Sequence, residues 1–125
     1  MKLVQLIAAL ALAATGAAHA ADDHGHDPKP LQGGVVVEVK DIEYELVAKP
    51  ESLQLHLRDH GKAVDVSRAT AKLTLLSGTQ KQEVELKPAG DKLEAKGSFK
   101  IAANTKVIAL VSRAGKSSTA RFVLK

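Results

Sequence analysis

Apolar and polar side chains alternate along most of the chain after residue 34. Successive side chains of a β-strand point to opposite faces, so this period of two predicts strands with one buried face and one wet face. No stretch after the first twenty residues keeps the 3.6-residue apolar period of a surface helix. The alternation forms eight series, which begin at Val35, Ile42, Leu53, Ala69, Val84, Leu93, Val107 and Ala120.

The breaks between these series are rich in turn-forming residues. Short strands at this spacing predict an all-β fold, an immunoglobulin-like antiparallel β-sandwich of about seven to eight strands over residues 35–125. A small barrel is the alternative. The breaks include Lys49-Pro50-Glu51, Asp59-His60-Gly61-Lys62, Ser77-Gly78-Thr79, Pro88-Ala89-Gly90-Asp91, Asn104-Thr105 and Ala114-Gly115-Lys116.

One strand register follows from charge. Residues 81–87 and 93–99 are predicted to form a hairpin. Pairing Glu85 with Lys96 and Lys87 with Glu94 sets opposite charges across from each other, which stabilises a hairpin by roughly 0.2–1 kcal/mol per pair. A shift by two residues would set Glu85 against Glu94, so we predict the first register.

Residues 1–20 have the pattern of a secretory signal peptide. Lys2 precedes an apolar run that is shorter than the roughly 20 residues of a membrane-spanning helix. Small residues, Ala18 and Ala20, precede a predicted cleavage site between Ala20 and Ala21. We therefore expect an exported, periplasmic protein with no stable membrane anchor after cleavage. An uncleaved anchor is the alternative.

Residues 21–34 differ in composition from the rest of the chain. They hold two prolines, three glycines, two histidines and four charged residues. This leaves too little apolar surface for a packed element, so we predict a flexible N-terminal arm that ends at Gly33-Gly34.

Composition and charge exclude several classes of function. The chain has no Cys, which rules out a disulfide framework and a thiol nucleophile. The net charge of +4 comes from basic residues mixed with acidic ones, and 2% of residues are aromatic. We therefore expect no nucleic-acid binding. Because the sequence shows no nucleophile elbow, phosphate loop or His-Glu-x-x-His motif, we expect no enzyme.

The arm carries the clearest candidate site. Asp23, His24, His26 and Asp27 place two imidazoles and two carboxylates close together, and Gly25 lets both rings turn toward one ion. Imidazole with carboxylate suits Cu(II), Zn(II) or Ni(II), whereas Cu(I) prefers sulfur ligands. The sequence therefore predicts a metal site at these four residues. The alternative is a solvated acidic segment that binds metal weakly, since ordering it costs conformational entropy.

His56 and His60 form a second, weaker candidate metal site. His56 faces away from the apolar side of its strand, and His60 stands in the turn that follows. Both can approach each other at the strand end. The alternative assigns His56 to a strand surface and His60 to a tight turn shaped by its neighbours, because a metal site needs about three ligands.

Three segments carry a resemblance to known proteins: Gly33–Val39, Tyr44–Pro50 and Leu57–Lys62. Over roughly residues 24–125 the chain resembles small exported proteobacterial proteins with an immunoglobulin-like domain. Those proteins are similar to periplasmic modules that accompany heavy-metal and copper efflux systems. The resemblance implies a metal ion or an envelope efflux component as the partner. In that group a His often precedes the Gly-Gly pair, and this chain has Gln32 there.

Together these features predict a non-enzymatic periplasmic binding protein, a metal-binding accessory to copper or zinc homeostasis. The alternative is a structural or protein–protein interaction module of the cell envelope that docks a partner by an edge strand. An enzyme inhibitor is a third option.

Overall fold

The computed structural model describes residues 29–125, which form antiparallel β-structure with no helix. The all-β prediction is confirmed. Within these residues no helix is long and apolar enough to cross a membrane. The predicted signal peptide and residues 21–28 of the predicted arm lie outside the described residues. The strands are β1 (Val35–Val39), β2 (Ile42–Lys49), β3 (Ser52–Asp59), β4 (Lys62–Ala63), β5 (Thr70–Ser77), β6 (Gln80–Ala89), β7 (Lys92–Lys96), β8 (Lys106–Arg113) and β9 (Lys116–Val123).

The nine strands form one sheet that is nearly barrel-shaped. Its order is β1-β2-β3-β7-β6-β5-β8-β9, and the short β4 pairs with β3. Half A consists of β1, β2, β3, β4 and β7, and half B consists of β5, β8 and β9. Strand β6 joins the two halves, because residues 80–86 pair with β5 and residues 87–89 pair with β7. The terminal strands β1 and β9 lie beside each other.

The predicted hairpin register is confirmed at one of its two charge pairs. Lys87 lies opposite Glu94, as expected. Glu85 instead lies opposite Lys72 of β5, while Lys96 lies opposite Ser52 of β3. The hairpin is shorter than predicted because β6 leaves β7 and continues along β5.

Aliphatic side chains from both halves fill the interior. Alternation explains which residues are inside, since the members of each apolar series share a face. Tyr44 contributes a buried ring. Half-buried valines of β1 pack against this core. The core residues are Tyr44, Leu46, Leu53, Leu55, Leu57, Val66, Ala69, Ala71, Leu73, Leu75, Leu86, Leu93, Val107, Ala109, Val111, Ala120, Phe122 and Leu124.

Two-residue turns connect most neighbouring strands. Lys40-Asp41, His60-Gly61 and Ala114-Gly115 have positive φ at both positions, as in type I′ hairpin turns. Such turns match the right-handed twist of the strands they join. They keep the ends of the barrel short and fix His60 at the end of β3.

Candidate functional site

A buried carboxylate joins the chain before β1 to the outer face of half A. Glu45 lies on β2 between two core residues, so its side chain points away from the interior, yet it is fully buried. Its carboxylate accepts hydrogen bonds from the backbone N–H of Leu31 at 2.9 Å, Gln32 at 2.8 Å and Gly34 at 2.8 Å. The segment of residues 29–34 therefore covers this part of the sheet.

Arg58 of β3 completes the attachment. Its Nη1 donates to Oε1 of Glu45 at 2.8 Å, and its Nε donates to Oε1 of Glu43 at 3.3 Å. Its Nη2 donates to the carbonyl oxygen of Lys29 at 3.3 Å. Arg58 is 6% exposed, so the guanidinium is withdrawn from water with its charge paired. Buried charges of this kind are tolerated because they are paired and hydrogen-bonded.

The surroundings keep Glu45 ionised. Burial alone would raise the pKa of Glu45, because a charged carboxylate is disfavoured away from water. The backbone N–H of Gly34, the guanidinium of Arg58, and the N–H groups of Leu31 and Gln32 outweigh burial, and the pKa of Glu45 is lowered. The carboxylate is thus a fixed negative charge that holds residues 31–34.

Two adjacent glycines let the chain pass from this face into β1. Gly33 has a φ of 79°, a left-handed conformation that glycine adopts without steric cost. A Cβ atom at Gly34 would fall on the backbone carbonyl of Leu46. The Gly-Gly pair is therefore required by a close backbone approach, which also places the N–H of Gly34 against Glu45.

His56 belongs to a polar network beside this pair. It lies opposite Glu45 in the β2–β3 ladder and is half-buried. The Nε2 of Gln54 donates to Glu94 at 3.2 Å, so the Oε1 of Gln54 accepts from His56 Nε2 at 3.3 Å. This leaves Nδ1 of His56 as the nitrogen with a lone pair. Burial lowers the pKa of His56, Lys92 lowers it further, and Glu45 opposes both.

His60 occupies a different environment. It is exposed in the β3–β4 turn, and its Nδ1 lies 2.6 Å from Oδ1 of Asp59. That hydrogen bond raises the pKa of His60. The imidazole borders an open cleft that is also lined by Glu38, Asp41 and Glu43. His56 and His60 thus have separate hydrogen-bond partners.

The ligands predicted in the arm, Asp23, His24, His26 and Asp27, lie outside the described residues. Within residues 29–125 no group of three or more His, Cys, Asp or Glu side chains is arranged to hold a metal ion. The attachment residues were not predicted. Sequence alternation assigns Glu45 and Arg58 to a solvent-exposed strand face. The one sequence signal of their role in attaching the N-terminal segment is the Gly-Gly pair directly before β1.

Comparison of the chain with models of protein families, with curated proteins and with solved structures found no match.

Proposed function

We propose that this chain is a non-enzymatic periplasmic binding protein whose N-terminal segment binds Cu(II) or Zn(II) as an accessory to heavy-metal homeostasis. His24 and His26 are the main ligands, and Asp23 and Asp27 assist. Imidazole and carboxylate together suit both ions.

One observation carries the proposal: the Glu45–Arg58 pair fixes the chain at Lys29, directly after the ligand segment. His26 is three residues before Lys29, and a chain spans at most about 3.6 Å per residue. This stretch of chain therefore spans at most roughly 11 Å. A ligand segment fixed at one end loses less freedom on binding than a free peptide does.

The same attachment of Lys29 to Arg58 offers the proposed metal ion additional ligands from the folded domain. His56 is two residues from Arg58 on the same strand face, a separation of roughly 7 Å. Its Nδ1 carries the free lone pair. An ion held by the two arm imidazoles and one carboxylate has a fourth position open, and His56 is a suitable nitrogen ligand for that position. His60 also keeps a lone pair, on Nε2, because its Nδ1 donates to Asp59, but it is the weaker candidate since it stands in the exposed β3–β4 turn and not on the strand face of Arg58.

Calorimetric titration with Cu(II) and with Zn(II) tests the proposal. The chain that begins at Ala21 should bind at least one of the two ions more tightly than a peptide of residues 21–28 does. Replacing His24 and His26 together with Ala should remove the tightest site. The matched control, His56→Ala with His60→Ala, removes the same number of imidazoles and should have a smaller effect. Equal binding by the parent chain and the arm variant would refute the arm as the site.

The alternative function is a structural or interaction module of the cell envelope. Here the domain acts as an immunoglobulin-like sandwich that docks an envelope protein, such as an efflux component, along an edge strand. Strands β1 and β9 end the sheet path, and each pairs with one neighbour. Deleting residues 21–28 separates the two functions. Loss of metal tolerance in cells favours the arm, and retained tolerance favours the domain surface.

A further inference from the structure

The outer face of half B combines exposed aliphatic side chains with positive charge. The inward positions of β5, β8 and β9 are buried, so the alternate residues form the outer face. Leu110 is 44% exposed and Val123 is 52% exposed. We call this surface the basic face, and its residues are Lys72, Leu76, Lys106, Ile108, Leu110, Arg121 and Val123.

Strand register places the cations of this face among apolar residues. Lys106 of β8 lies between Leu76 of β5 and Val123 of β9. Arg121 of β9 lies opposite Ile108. The ladder neighbours of Lys106 and Arg121 therefore carry no negative charge. Lys72 differs, because Glu85 of β6 lies opposite it.

Positive charge also prevails around this face. After Glu94 the chain contains no Asp or Glu. The carboxylates nearest the basic face in the ladders stand on β6, at Glu83 and Glu85. Strands β8 and β9 carry four cations and no carboxylate, so they give half B a positive potential that favours an anionic partner. These cations are Lys106, Arg113, Lys116 and Arg121.

We propose that the basic face docks on an anionic lipid surface, with Leu110 and Val123 entering the headgroup region and Lys106 and Arg121 pairing with lipid phosphates. Basic residues next to exposed aliphatic ones are the composition that favours binding at an anionic membrane surface. A protein partner fits less well. Protein–protein contacts are depleted in Lys and centred on aromatic anchors, and the one aromatic residue of β5, β8 and β9, Phe122, is buried.

Vesicle sedimentation tests this docking. The protein used is the chain that begins at Ala21, because it contains every residue that the structure describes. Vesicles contain either phosphatidylcholine alone or phosphatidylcholine with phosphatidylglycerol. We expect binding to the mixed vesicles, little binding to the neutral ones, and weakening as salt shortens the range of the attraction. Lys106→Glu with Arg121→Glu should weaken binding by about tenfold or more, since each basic residue contributes several-fold near such a surface.

The matched control is Lys49→Glu with Lys62→Glu. It changes net charge equally at two exposed lysines of half A. It should bind within about twofold of the parent, as residues far from the surface contribute little. Leu110→Ser with Val123→Ser should weaken binding about threefold or more if both side chains enter the headgroups. If charge reversal prevents folding, Lys106→Gln with Arg121→Gln takes its place, because it removes the two positive charges without adding negative ones.

Three results would overturn the proposal. Equal binding to neutral vesicles would exclude an electrostatic contact. If the control variant and the Lys106 and Arg121 variant lose vesicle binding equally, then binding depends on the net charge of the protein and not on this face. Equally strong binding to polyglutamate, unaffected by the Leu110 and Val123 changes, would indicate an acidic protein as the partner.

Discussion

The Nη1 of Arg58 donates a 2.8 Å hydrogen bond to Oε1 of Glu45 on the neighbouring strand, at a point where residues 29–34 exclude water from both side chains. The pair lies on the sheet face opposite the core. It is stabilised by backbone groups that precede β1, so the local stability of this face and the position of the N-terminal segment depend on the same contact.

Glu45→Gln should destabilise the fold strongly. The amide of Gln retains the shape of the carboxylate but leaves Arg58 without its fully buried anionic partner, so that only the more exposed Glu43 balances its charge. Removing one member of a buried ion pair costs about 3–5 kcal/mol. Urea denaturation measures the loss. The matched control is Glu43→Gln, at a more exposed partner of the same guanidinium, which should cost below about 1 kcal/mol. Equal losses in the two variants would contradict the role assigned to Glu45.

The same carboxylate should make stability depend on acidic pH. The pKa of Glu45 is lower in the folded chain than its ordinary value of 4.5. Its contribution is therefore fully present above pH 4.5 and is lost as pH falls through the folded-state pKa. Denaturation series between neutral and acidic pH should show a steeper loss for the parent than for Glu45→Gln. Identical slopes would show that Glu45 titrates alike in both states.

Gly34→Ala should destabilise the start of β1 more than Gly33→Ala does. A Cβ at residue 34 meets the backbone of Leu46, which cannot move aside as a side chain end does. Overpacking of this kind costs about 1–3 kcal/mol. A Cβ at residue 33 meets open space, so that variant bears only the cost of its positive φ. Thermal melting ranks the two, and amide exchange at Leu31 and Gln32 should accelerate in the residue 34 variant. The reverse ranking would contradict the close approach.

The proposed metal binding by the N-terminal segment should weaken as pH falls from about 7.5 to about 5.5, because imidazole must be neutral to donate its lone pair and its usual pKa is about 6.5. Titrations at several pH values measure this dependence. A peptide of residues 21–28 provides the control for ligands without the folded domain. A pH-independent affinity would mean that carboxylates alone hold the ion.

Sequence alternation was sufficient to predict eight of the nine strands, because burial of one face has a fixed period, but it missed the short β4. The pairing of Lys87 with Glu94 was predicted from their opposite charges. Alternation was not sufficient to predict that Glu45 is buried and holds the chain before β1. Its neighbours in the sequence predict a wet position, and the residues that cover it stand 11 to 14 positions earlier. No local pattern encodes such a contact.

The basic face could not be predicted from the sequence for a different reason. Taken over the whole chain, basic residues are mixed with acidic ones, and this mixture predicts no nucleic-acid-binding surface. The acidic residues end at Glu94, however, and strand order then places Lys106 and Arg121 on one surface with Leu110 and Val123. Charges that are separated along the chain become neighbours through pairing of β8 with β9.

The order of the strands divides the barrel into three pieces that are each continuous in the chain. They are the β1–β3 hairpins, the β5–β7 meander and the β8–β9 hairpin. The meander lies between the other two, which join it where β3 meets β7 and where β5 meets β8. Local pairings close short loops and form fast, whereas these two joints close long ones. We therefore expect folding to nucleate in the meander. Substitutions at Leu73 or Leu86 should slow refolding, whereas Leu55 or Ala120 substitutions should chiefly speed unfolding, and stopped-flow kinetics would separate the two.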